Sequence, residues 1–161
     1  MNLDQLSERQ LLELHCRLMA ELRNRKIVRS SNNPVADYTE TLVSRALNAT
    51  LESNSRAGYD AIASDGTRIQ IKGRRLTKAN KSTQLSALRN LSNEPFDFLA
   101  AVAFDETLNV AYAALIPLSV VQAMAVYRAH TNAHVFYFRP TVLQAAGVRD
   151  ISPEVRAAML A

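Results

Sequence analysis

"GYDAIASDGTRIQIKGRR", residues 58–75, sets an acid, a glycine turn and a Gln-Ile-Lys alternation close together. In "TRIQIKG", Ile69 and Ile71 alternate with Arg68, Gln70 and Lys72. Successive side chains of a strand point to opposite faces. The isoleucines therefore bury together, and Gln70 and Lys72 project together from the other side. Strands over 58–63 and 67–73, joined by Ser64-Asp65-Gly66, make a hairpin. With Gly66 in the left-handed region, a three-residue loop pairs Ala63 with Thr67. Counting back places Asp60 opposite Gln70, with Lys72 one diagonal away. A two-residue Asp-Gly loop would shift the register by one and send Asp60 to the face opposite Gln70. On the longer loop, a carboxylate and an amide oxygen can bind a hard divalent cation such as Mg²⁺. Lys72 beside them can orient a water or balance charge developing on phosphorus. The plainer alternative is a half-exposed hairpin with a polar outer face.

Two helices precede this hairpin. Ser7 and Gln10 fit a capping box, with Leu6 and Leu11 as a hydrophobic staple. Leu11, Leu14, Leu18 and Leu22 then recur at helical spacing and predict a core-facing stripe. Arg23, Arg25 and Lys26 at the end of that helix complement its dipole. In "SSNNPVADYTETLVSRALNA", Asn33 is a good N-cap and Pro34 suits the first helical position. Val35, Tyr38, Leu42 and Ala46 form its apolar face. At about 100° per residue, Glu40 falls just beyond the margin of that face, where a helix overlooks a cleft. Glu40 is the obvious second acid for a cation at Asp60.

Downstream, "DFLAAVAFD" and "VAYAALI" read as strands joined around residues 106–109. "PLSVVQAMAVYRAH" reads as a helix, "HVFYFR" as a strand, and the segment after Pro140 as short and helical. This order predicts one α/β (α+β) domain, a mixed β-sheet flanked by helices. Residues 1–30 hold the N-terminal helix, 33–116 the core with the hairpin, and 117–161 a helix–strand–helix.

The chain has 161 residues, 48% hydrophobic and 21% charged, which suits one globular core. A single cysteine, Cys16, excludes an internal disulfide framework and favours a reducing, cytoplasmic setting. No apolar run approaches the length of a membrane span, and "MNLDQLSERQ" lacks the core of a signal peptide. The net charge of +4 permits a polyanionic partner. Arg23, Arg25, Lys26 and Arg29 form one basic cluster; Arg68, Lys72, Arg74, Arg75, Lys78 and Lys81 form another. In the second, Arg74, Arg75, Lys78 and Lys81 lead out of the hairpin as candidate phosphate contacts, with Gln84 and Arg89 extending the surface. His130 and His134 lie four apart, but "HTNAH" reads as a polar loop. His15 and the lone Cys16 read as structural or surface residues. No Walker motif, Rossmann fingerprint or zinc spacing occurs.

Glu40 on a helix, then Asp60, then Gln70-x-Lys72 on the next strand resembles the PD-(D/E)xK nuclease superfamily, which has the restriction-endonuclease-like fold. Residues 33–75 carry the resemblance. Tyr59 stands where that family often has proline. Gln70 stands where an acid is usual, and Gln-x-Lys resembles the Mrr-type restriction nucleases. "IQIKGRRLTKANKSTQLSALRNL" is similar to a stretch in a set of bacterial proteins with this expected fold. The resemblance implies Glu40 and Asp60 as metal-associated acids and Gln70 as a weaker ligand or water-positioning group. It implies Lys72 as the catalytic lysine, Mg²⁺ or Mn²⁺ as cofactor, and DNA phosphodiesters as substrate. One such site cuts one strand, so a double-strand break needs a homodimer or two events. With no appended recognition domain visible, specificity would come from DNA structure or from a partner. Two other readings share the fold: a catalytically inactive nucleic-acid-binding module, and a protein-interaction factor.

Overall fold

The computed structural model describes residues 2–53 and 58–160. Helix α1 (Glu8–Asn24) opens with the expected capping box: the Ser7 side chain accepts from the Gln10 N–H, and the Gln10 side chain accepts from the Ser7 N–H at 2.8 Å. Helix α2 (Pro34–Leu47) is capped by Asn33, whose side chain accepts from the Val35 N–H at 3.0 Å. Strands β1 (Thr50–Leu51), β2 (Ala61–Ile62) and β3 (Arg68–Arg75) follow, then β4 (Phe98–Phe104) and β5 (Val110–Pro117). Helix α3 (Leu118–Met124) leads to the small hairpin of β6 (Val126–Arg128) and β7 (Ala133–Val135). Strand β8 (Arg149–Asp150) and helix α4 (Ser152–Leu160) end the chain.

The main sheet runs in the order β1-β2-β3-β4-β5-β8. The β3–β4 pair is parallel and its other pairs are antiparallel. This is the mixed sheet of an α+β domain. β4, at its centre, reads "FLAAVAF" without alternation, and six of its seven residues are buried because both faces are covered. On one face, α2 and α4 bury Leu42, Val43, Ile69, Ile71, Val102, Phe104 and Val155. On the other, Leu99, Ala101, Ile116, Leu85, Leu88, Phe96, Phe136 and Phe138 form a second core. The cover there is mostly irregular chain. Segments near 83–88 and 134–138 run antiparallel, with Leu85 N–H donating to Phe136 O at 2.9 Å and Phe138 N–H to Thr83 O at 2.9 Å.

Several expectations need correction. The stripe of α1 does not face the core: Leu11 is 40% and Leu18 55% exposed, and Met19 is the helix's buried residue. The helix expected over "PLSVVQAMAVYRAH" stops at Met124, because Ala125 is extended and the β-prone Val126 and Tyr127 pair with Val135 and His134. "HVFYFR" contributes only its first two residues to β7 before leaving the ladder. β2 is shorter than residues 58–63, β3 runs on to Arg75, and β8 lies in a segment read as helical. That last strand joins β5, with Ala114 opposite Asp150, so the C-terminal segment completes the sheet.

Candidate functional site

The turn takes its three-residue form. Gly66 adopts φ +87°, its N–H donates to Ala63 O at 2.9 Å, and Ala63 N–H donates to Thr67 O at 2.9 Å. The Asp65 side chain accepts from the Thr67 N–H at 2.9 Å and fixes the loop. Ala61 therefore pairs with Ile69 and Ile62 with Arg68; the paired register ends there, and Asp60 meets Gln70 through its side chain. β2 leaves β3 at this point. Asp60 N–H still bonds Ile69 O at 2.9 Å, and past it the ladder N–H of Ile71 is taken by the Asp60 carboxylate at 2.7 Å. Gln70 Nε2 donates to the same carboxylate oxygen. Asp60 is thus anchored by backbone and amide donors at the point where two strands part.

Glu40 reaches this point from α2. Gly73 on β3 sets how closely that helix approaches, because its missing side chain leaves room for Thr39. The Asp60 charge acts on Glu40. Burial pushes the Glu40 carboxyl above its ordinary value, the bond from Arg29 opposes that, and Asp60 adds to it. Burial likewise raises Asp60, against the Ile71 N–H, the Lys72 and Arg29 charges and the Gln70 amide. Two acids drawn together out of water are a place where a cation is stabilising. Lys72 is near enough to act on Asp60 and has no side-chain bond to another described residue.

Arg29 is the residue that sequence reasoning missed. In the sequence it is one member of a basic cluster, yet it donates through Nη2 to Glu40 and through Nη1 to Glu52 O at 2.7 Å. Asp37 accepts from the N–H groups of Arg29 at 2.8 Å and Ser30 at 2.5 Å, folding this segment against the start of α2. The Glu40 side chain is left only 17% exposed. No local pattern announces a pair eleven residues apart; the one signal in the sequence is an acid at a helix margin with a cation upstream.

The donor set suits a hard divalent cation in part. Asp60 keeps an oxygen free of the Ile71 and Gln70 bonds, and Gln70 presents its amide nitrogen to Asp60, leaving Oε1 for a cation or water. Glu40 can join them only by sharing its carboxylate with Arg29. Among the described residues, no three His, Cys, Asp or Glu side chains converge as a metal site.

The basic edge is more structural than its composition implied. Arg68 forks onto Asp97, at 2.8 Å and 3.2 Å, and ties the start of β3 to β4. Arg74 donates to Ser82 O at 2.8 Å and Asn80 Oδ1 at 3.2 Å; Arg75 donates twice to Glu106 O, at 2.9 and 2.6 Å. These bonds hold loops while leaving one terminal guanidinium nitrogen of each arginine without a bond among the described residues. Lys78 and Lys81 are exposed on the loop that follows β3. Gln70 opens onto a cavity of about 530 Å³ that Arg89 also lines, whereas Gln84 is exposed and bridges to Tyr137. His130 and His134 flank the turn between β6 and β7, and His134 packs near the Tyr127 ring at 5.2 Å.

Compared with protein-family models and with curated proteins, the chain matches none. No helix among the described residues is long and apolar enough to cross a membrane.

Proposed function

We propose that this protein is a divalent-cation-dependent nuclease acting on DNA phosphodiesters through Glu40, Asp60, Gln70 and Lys72. The observation that carries the reading is the Gln70 amide bonded to the Asp60 carboxylate, with the Lys72 charge acting on Asp60 and the Asp60 charge acting on Glu40. The order follows the one the PD-(D/E)xK resemblance implies, with the acid just ahead of its strand: helical glutamate, Asp60 immediately before β2, then Gln-x-Lys on the next strand of a mixed sheet. Asp60 and Glu40, with Gln70 Oε1, would hold Mg²⁺ or Mn²⁺. When bound there, such a cation supplies Lewis-acid polarisation of a phosphate oxygen and acidifies water.

The chain's own groups have defined tasks. The Ile71 N–H and Gln70 amide fix the orientation of the Asp60 carboxylate. Lys72 orients the attacking water and offsets charge on the phosphoryl oxygens. Arg29 balances Glu40 and, through Nη1, pins the chain at Glu52 beside it. Arg74, Arg75, Lys78 and Lys81 steer the phosphate backbone toward the cleft without reading sequence.

The test is cleavage of supercoiled and linear DNA with Mg²⁺ or Mn²⁺, wild type beside Lys72→Ala. Loss of about 10²- to 10⁴-fold in rate is expected for a residue of this role. Cleavage that survives the substitution removes the mechanism. A second reading, a nucleic-acid-binding module without chemistry, is favoured by one observation: Arg29 already neutralises Glu40. Salt-dependent DNA binding with no cation-dependent cleavage would select it. Absence of both binding and cleavage would leave the fold as an interaction scaffold.

A further inference from the structure

A cavity of about 440 Å³ lies between the end of α1 and the second half of α2, lined by Arg23, Lys26, Arg29, Thr41, Ser44 and Arg45 among others. Among the described residues, no Asp or Glu lines it. We propose that it binds a non-scissile phosphate of the nucleic-acid strand whose cleavage is proposed above, and so rests on that reading for its substrate class.

The charge balance argues for an anion. Four cations share the cavity wall, and Glu40 neutralises one of them, Arg29. Arg23 and Arg45 lie in the last turns of their helices, and Lys26 just beyond one. Each helix C-terminus carries roughly half a negative charge, so the two together offset about one more. Lys26 and Arg45 are left without a carboxylate partner among the described residues, and a phosphate group would supply one. Arg23 commits a donor to Ser31 Oγ at 2.5 Å, whereas the side chains of Lys26 and Arg45 have no bonded partner among the described residues. The Arg29 Nε–H is buried and also lacks an acceptor among them. The hydroxyls are committed elsewhere, Ser44 to Ala49 O at 2.7 Å and Thr41 to Ile27 O at 3.2 Å, so recognition falls to the cations.

Backbone conformation gives an independent argument. α1 ends in a Schellman turn: Ile27 N–H bonds Leu22 O at 2.9 Å and Lys26 N–H bonds Arg23 O at 2.9 Å. The turn puts Lys26 at φ +58°, a position that glycine or asparagine occupies with less strain. A lysine held there in an unfavourable backbone well places a charge at the cavity rim, and strain of this kind clusters at binding sites. Arg29 connects this cavity to the acids, since it lines the one and bonds Glu40 in the other.

The experiment measures binding of fluorescein-labelled single-stranded and duplex DNA across a salt series in EDTA, for wild type and the double variant Lys26→Gly, Arg45→Gln. Lys26 and Arg45 are exposed and glycine suits the Lys26 backbone, so a melting scan should show the variant folded. The single variant Arg45→Gln serves if it does not. The slope of log K against log salt should become shallower by about one for each phosphate the variant no longer engages, and affinity should fall about tenfold. An unchanged slope, or a wild type that binds neither DNA, overturns the proposal. Strands ending in phosphate or in hydroxyl separate the sources: a preference for the phosphorylated end that the variant loses assigns a terminal phosphate, and equal loss on both assigns an internal one. Cleavage is scored separately. A slope change in a protein that never cleaves keeps the cavity and discards the nuclease; cleavage with an unchanged slope does the reverse.

Discussion

Gly73 and Thr39 occupy adjoining space with no gap for a methyl group. A Cβ on Gly73 would land on Thr39 Oγ1, 3.0 Å from Thr39 Cβ and 3.2 Å from Cγ2. Thr39 is fully buried and its hydroxyl bonds Val35 O at 2.6 Å, so it has little freedom to withdraw. Gly73→Ala should destabilise by about 1–3 kcal/mol, the usual cost of overpacking. At this chain length that lowers Tm by roughly 2–4 °C per kcal/mol. Because Glu40 follows Thr39 directly, cleavage should fall as well. Thr39→Ala in the same chain should recover part of the loss, and a double-mutant cycle measures the coupling. Additive effects would mean that this contact does not set the helix position.

Asp60 carries a charge that burial disfavours. Asp60→Asn keeps an oxygen for the Ile71 N–H and removes the buried charge. The variant should melt at or above the wild-type temperature at neutral pH while losing cleavage. Mn²⁺ should raise the wild-type Tm and leave the variant unmoved. At a hundredfold excess over Kd, cation binding would stabilise by about 2.7 kcal/mol. Equal responses of the two proteins to Mn²⁺ would place the cation elsewhere.

The β4–β5 turn has a different acid. Asp105 accepts from the N–H groups of Thr107 at 2.8 Å and Asn109 at 2.9 Å, and from Asn109 Nδ2 at 2.9 Å. The Asn109 side-chain bond comes first among the causes that lower its carboxyl from 3.8 to about 2. A depressed acid favours the folded state at pH values above 3.8 and loses that contribution as pH falls through about 2. A carboxyl-detected NMR titration should give the low midpoint. Asp105→Asn should flatten the dependence of Tm on pH below about 4. A midpoint near 3.8 would show that the turn does not hold the charge.

Lys26→Gly alone should stabilise the protein by about 0.5–1 kcal/mol, relief of a left-handed backbone less the entropy of an added glycine. Thermal or urea unfolding reads this directly. A lower Tm would mean that the lysine stem packs usefully at the helix end and that its left-handed backbone stores no strain at the cavity rim.

Much of this structure could be read from local pattern. The helix caps at Ser7 and Asn33, the β4–β5 hairpin, and the three-residue turn that brings Asp60 to Gln70 all follow from turn residues and short-range periodicity. What escaped is non-local. The α1 leucines have a helical rhythm, but rhythm does not say whether a face meets this chain or solvent. Val126 and Tyr127 sit in a segment with helical apolar content and are drawn into a strand by His134 and Val135. Arg29 finds Glu40 across a loop, and such pairing leaves no mark in spacing. The hairpin residues and Glu40 on α2 are legible from turn chemistry and helical spacing, whereas Arg29, brought in by the α1–α2 loop, is not.

The parallel join of β3 and β4 also has a kinetic meaning. The β2–β3 and β4–β5 hairpins close short loops, whereas β3 and β4 must meet across residues 76–97 before either gains from the other. We expect the hairpins to form early and their docking to limit refolding. Asp60, Gln70 and Lys72 belong to one early unit, and Glu40 joins only when α2 settles over Gly73. Chevron analysis should then show variants of the Ser64–Gly66 turn slowing refolding, and Thr39→Ala mainly hastening unfolding. The acid, amide and lysine would thus be assembled before the second acid arrives.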